Sequence, residues 1–159
     1  MALKGRRKVD EGSDVAYFMN ELPTGVTYLE AGCVVIHDGS TGTGHPGDGN
    51  NTVVVPTGTG GVPLGILACD VEDIDLSKYP HWNRNHKDVV PLCHRVTVYR
   101  HGYCYTNRLA SGATPTPGAV AYYAANGLLT HASGSVAVGR FRGTTDADGY
   151  VGVDITVGV

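Results

Sequence analysis

Residues 151–159 read Val-Gly-Val-Asp-Ile-Thr-Val-Gly-Val, so that Val151, Val153, Ile155, Val157 and Val159 alternate with Gly152, Asp154, Thr156 and Gly158. A period of two puts every apolar side chain of such a run on one face of a sheet. The run is predicted to be a β-strand that reaches the last residue, with no helix and no catalytic tail. It is preceded by Val-Ala-Val-Gly-Arg-Phe at 136–141 and by Asp146-Ala-Asp-Gly149, residues that β-turns select. The pattern suits the closing strand of a small antiparallel barrel.

The rest of the chain repeats this grammar of short apolar runs and turns. Its 159 residues favour one domain with an ordinary core. Gly supplies 23 of them and Pro 8. Strand-like runs appear at Gly25–Tyr28, Cys33–His37, Val53–Pro56, Leu64–Asp70, Arg95–Tyr99, Tyr103–Thr106 and Ala119–Ala124. A turn at Gly32, a bulge at Gly102 and a hairpin turn at Asn126-Gly127 punctuate them. No three-turn helical periodicity is found, and any helix is expected within residues 70–90. The fold class is therefore all-β: a small antiparallel β-barrel or sandwich over residues 16–159.

Two segments depart from that grammar. Residues 1–15 have few apolar side chains to bury and carry Lys4, Arg6, Arg7 and Lys8, followed by Asp10, Glu11 and Asp14. They are expected to form a flexible N-terminal arm unless a partner orders them. Its positive charges suit an acidic partner surface. Residues 70–91 form the longest irregular insertion and hold the sole tryptophan, Trp82, with Tyr79 close by. Long loops in compact domains are usually functional or packed as Ω-loops.

Chemistry is thinly supported. A net charge of −3 offers no global basic field for nucleic acid. The glycine-rich stretch 38–52 lacks the phosphate-loop lysine, and no helix follows it. Cys93, His94, His101 and Cys104 fall within twelve residues. Adjacent Cys93 and His94 would nevertheless point to opposite faces of a strand, and no second close pair completes a zinc site. The acids at 70–75 and 146–148 lack the calcium-loop pattern. No nucleophile elbow occurs. Neither catalytic residues nor a metal or cofactor is expected, and the four cysteines, Cys33, Cys69, Cys93 and Cys104, read as reduced and mostly buried. No apolar run is long enough to span a membrane.

Tyr99, Tyr103, Tyr105, Tyr122 and Tyr123 fall in the middle strands, where aromatics serve either a core or an interface. Tyr79, Trp82, Tyr103 and Tyr105 are the interface candidates, because large aromatics dominate interface energetics.

Several segments, in order, carry a family likeness. They are Gly65-Ile-Leu-Ala-Cys-Asp-Val-Glu-Asp-Ile-Asp75, Val96-Thr-Val-Tyr-Arg-His-Gly-Tyr-Cys-Tyr-Thr106, Thr116-Pro-Gly-Ala-Val-Ala-Tyr-Tyr-Ala-Ala-Asn-Gly-Leu-Leu-Thr130, Val138-Gly-Arg-Phe141 and Asp148-Gly-Tyr-Val-Gly-Val153. Over about residues 25–159 the sequence resembles the phage capsid cement, or head decoration, proteins. The resemblance implies a non-enzymatic virion β-barrel made in the host cytoplasm. Such a protein binds the outside of an assembled capsid and stabilises contacts between major capsid subunits, commonly as a homotrimer. Lys4, Arg6, Arg7 and Lys8 then become a capsid-contact arm, and neither nucleic acid nor membrane is a direct partner. The alternatives are another virion β-module, such as a tail or baseplate component, or a soluble ligand-binding β-domain.

Overall fold

The computed structural model describes residues 13–38, 52–74, 89–134 and 136–157, with side chains from Tyr17 onward. Among the described residues, thirteen strands carry the fold. They are β1 (Ser13–Met19), β2 (Tyr28–Leu29), β3 (Val34–His37), β4 (Thr52–Val54), β5 (Pro63–Leu67), β6 (Asp70–Glu72), β7 (Val89–Pro91), β8 (Arg95–Tyr99), β9 (His101–Thr106), β10 (Val120–Tyr123), β11 (Leu129–Thr130), β12 (Ala137–Phe141) and β13 (Val151–Thr156). Among the described residues the helical content is one 3-10 turn at Ala125–Gly127. No helix there is long and apolar enough to cross a membrane.

Five strands close a barrel in the order β1-β4-β3-β5-β8. Its pairings are antiparallel except β1 with β4, which run parallel. A second sheet has the order β11-β10-β12-β13-β9, and a third joins β2, β6 and β7. The third sheet contains the other parallel pair, Asp70↔Val89 through Glu72↔Pro91. The ends of the 70–91 insertion are thus strands β6 and β7, while 75–88, including Tyr79 and Trp82, lie outside the described residues.

Two apolar cores explain why this arrangement holds. Met19, Val35, Val53, Leu67, Val96 and Val98 fill the barrel, joined by Leu29 and Val71 of the small sheet. The second core lies between the barrel's outside and the five-stranded sheet. There Val34 and Ile66 meet Ala121, Tyr123, Leu129, Val138, Phe141, Val151, Val153 and Ile155. Successive strand residues point to opposite faces. Adjacent Val34 and Val35 therefore serve different cores, and β5 is buried along its whole length. Fully burying each such side chain stabilises by roughly 1.5–3 kcal/mol, so these two strands form the wall that fuses barrel and sheet.

The alternating C-terminal run is β13, buried at Val151, Val153, Ile155 and Val157. Its place differs from the sequence expectation. It does not close the barrel but lies inside the second sheet, between β12 and β9. Apolar periodicity reports which face is buried and is silent about which sheet buries it. A single residue, Arg100, separates β8 of the barrel from β9 of the sheet, and Gly102 at φ 108° bends the chain there. The predicted hairpin turn is present: Asn126 (φ 61°) and Gly127 (φ 66°) both take left-handed conformations between β10 and β11. The expected strand at 25–28 is largely a turn, closed by the Val26 amide donating to the Pro23 carbonyl at 2.9 Å. The expected site for a helix, 70–90, is not where the 3-10 turn lies.

Candidate interaction surface

The polar half of the β13 alternation faces outward, where it joins side chains of β9 and β12 in one surface patch. Gly152, Asp154 and Thr156 lie across from Tyr105, Tyr103 and His101 of β9. On the other side, Arg140 pairs with Asp154. Side chains of directly opposed residues share a face. Tyr103 leans diagonally over Gly152, where a Cβ would meet its hydroxyl at 2.5 Å and its ring at 2.8 Å. The missing side chain at 152 is therefore the seat of the Tyr103 ring, a covering of a strand glycine by an aromatic.

Arg142 fixes the other side of that ring. Its guanidinium carbon stands 5.0 Å from the Tyr103 centroid, and its Nε donates to Asp154 Oδ2 at 2.6 Å. The hydrogen bond to this carboxylate holds the Arg142 guanidinium above its usual pKa. Both partners are exposed, so solvent screens the ion pair and it adds little stability. Its effect is orientation. Two residues along β9, Tyr105 stacks on Tyr150 at 5.7 Å between centroids and donates to Asp146 Oδ2 at 2.6 Å. Asp146 in turn accepts the amides of Asp148 and Tyr150 at 3.0 and 2.8 Å. Tyr103, Tyr105 and Tyr150 thus form a half-buried aromatic platform whose rings are held before anything binds.

Other sequence candidates resolve differently. Lys4, Arg6, Arg7 and Lys8 lie outside the described residues, as do Tyr79 and Trp82. The middle-strand tyrosines divide between core and surface. Tyr123 is core and donates to the Gly61 carbonyl, Tyr99 packs partly against the second core, and Tyr103 and Tyr105 face outward. Asp70, first of the acidic run, is buried. It accepts the Ala31 amide at 2.7 Å and the Tyr28 hydroxyl at 2.5 Å, and this second bond pushes the Tyr28 pKa up to about 12.

Cys33 and Cys104 are buried, and desolvation raises both thiols, Cys104 to about 12. Cys69 is half-buried and Cys93 is exposed, the latter in the β7–β8 turn at φ 66°, so burial of the four free thiols is less general than expected. Among the described residues, no three His, Cys, Asp or Glu side chains come together to hold a metal.

Sequence reasoning overlooked Arg142, Asp154 and Tyr150. The available signal was the alternation itself: the polar positions between apolar ones in β12 and β13 define the outer face.

A family model for the structural cement protein (E217 gp24/Pam3 gp6) matches residues 12–156. The chain belongs to that family. No curated protein and no solved structure matches it. Membership makes this cement protein a structural component of a phage particle, associated with its capsid.

Proposed function

We propose that this cement protein binds the outside of the assembled head and clamps neighbouring major capsid subunits without chemistry of its own. The observation that carries this reading is the family match across residues 12–156. A protein that binds the assembled lattice and not free subunits stabilises the lattice by mass action. Many copies on one shell repeat that effect at every junction.

Within this reading, Tyr103 and Tyr105 dock on the capsid with Tyr150 beside them. Their fixed rings support the assignment, since ordering loose side chains on binding would cost about 0.5–1.5 kcal/mol each. Lys4, Arg6, Arg7 and Lys8 form an arm that reaches an acidic neighbouring surface, adding avidity and salt sensitivity. Tyr79 and Trp82 of the insertion are further contacts, within a homotrimer on the shell.

Co-sedimentation with heads that lack the protein tests this. Wild-type protein is expected to bind saturably, Tyr103→Ala/Tyr105→Ala to bind at least tenfold more weakly by the usual cost of truncating an interface anchor, and deletion of residues 2–12 to reduce the salt dependence. Undiminished binding of both variants at low and high salt would remove these contact assignments. Light scattering with and without Trp82→Ala tests the trimer; a monomer at all concentrations would restrict trimerisation to the capsid.

A further inference from the structure

Arg140 is opposite a carboxylate that it does not hold. In the β12–β13 ladder its direct partner is Asp154, on the same outer face. Asp154 nevertheless bonds Arg142 Nε at 2.6 Å, two residues along. Among the described residues Arg140 makes no ion pair, and the contact of its guanidinium is Nη1 donating to the Gly118 carbonyl at 3.0 Å. That bond orients the group while leaving donors of its five-donor fork unspent.

Arg140 lines a depression of about 400 Å3 together with Gly102, Asp154, Ile155 and Thr156. Two cations and one anion, Arg140, Arg142 and Asp154, leave this patch with one net positive charge in a chain of net −3. The glycine at 102 leaves one wall low, and exposed Thr156 brings a hydroxyl to the rim.

We infer that this depression receives one aspartate or glutamate side chain of the major capsid subunit, held by the Arg140 fork. The inference rests on the capsid-binding reading and deepens it. A carboxylate matches a planar guanidinium in two parallel hydrogen bonds. A single carboxylate also fits the one spare charge, with Asp154 already neutralised by Arg142. A nucleic-acid backbone does not: a polyanion running along this sheet would meet the carboxylates of Asp146 and Asp148 at the β12–β13 turn.

The probe is heads lacking the protein, with and without nuclease treatment, titrated with wild type, Arg140→Lys, Arg140→Gln and Arg140→Glu. Arg140 is exposed, so all four proteins are expected to melt alike. Losing a charged hydrogen-bonding partner is expected to weaken Arg140→Gln about tenfold and Arg140→Glu about a hundredfold, with Arg140→Lys between wild type and Gln. The difference between wild type and Arg140→Gln should shrink at high salt. Arg140→Glu binding as tightly as a tightly binding wild type would overturn this inference alone. Wild type that fails to bind heads would overturn the capsid reading with it. Arg140 dependence that appears only on heads not treated with nuclease would assign the counter-charge to nucleic acid and refute the carboxylate.

Discussion

Substituting Gly139 by alanine should cost about as much as removing a core side chain, although it adds one methyl group. Gly139 sits in β12 opposite Ile155 of β13. A Cβ there would fall on the Asp154 carbonyl oxygen, 2.8 Å from the Asp154 carbonyl carbon and 3.1 Å from the Ile155 Cα. All three atoms are backbone, so no rotamer change relieves the clash. Carbon atoms rest about 3.5–4.0 Å apart, which asks β13 to withdraw by about 1 Å.

The ladder phase says what that breaks. The Arg142 amide donates to the Gly152 carbonyl at 2.9 Å. By alternation, Arg140 and Asp154 form the next hydrogen-bonded pair. A 1 Å withdrawal takes bonds of 2.9 Å beyond hydrogen-bonding range. Two ladder bonds at about 1 kcal/mol each, plus about 1–3 kcal/mol of residual overpacking, sum to about 3–5 kcal/mol. With a urea slope of about 2 kcal/mol/M, the unfolding midpoint should fall by about 1.5–2.5 M. Gly58→Ala is the control, since a Cβ there meets nothing within 4 Å, and it should stay within about 0.5 kcal/mol. Urea titration of both variants is the assay. A Gly139→Ala loss below about 1 kcal/mol would refute the close β12–β13 approach that sets Arg140, Arg142 and Asp154 in place.

Thiol labelling in native buffer should modify Cys93 rapidly and spare Cys33 and Cys104 until denaturant is added; fast native labelling of Cys104 would contradict its burial. Tyrosinate absorbance should show Tyr28 ionising near pH 12, with that late step lost in Tyr28→Phe. Because the folded pKa lies above the unfolded value, the Tyr28–Asp70 bond contributes fully below about pH 10 and is lost as the pH rises through about 12. Removing a single hydroxyl in Tyr105→Phe breaks its bond to Asp146 and should cost about 1 kcal/mol in the same urea assay; no change would mean that Asp146 anchors the turn without it.

The sequence was most readable where local chemistry decides the outcome. Alternation along 151–157 marked β13, and Asn126-Gly127 marked a turn whose two left-handed residues few other pairs tolerate. Long-range choices were not readable. Whether β13 joins the barrel or the second sheet depends on partners tens of residues away. Strands β3 and β5, buried on both faces, lose the alternation that would reveal which core each side serves.

Short strands β6 and β7 gain their identity from pairing with each other across the insertion, so Val71 and Val90 read as loop until they are seen side by side. On the outer face, Tyr103 and Tyr105 were readable as interface candidates, within a tyrosine set whose pattern suits a core equally well. That Asp154 would choose Arg142 over Arg140 was not, because diagonal and direct pairs differ in the aim of side chains and not in spacing.

The most direct test is a low-resolution reconstruction of phage heads with and without the protein. Difference density on the outside of the shell, bridging adjacent major capsid subunits, is the expected result. Density on the tail, or inside the head, would contradict the account.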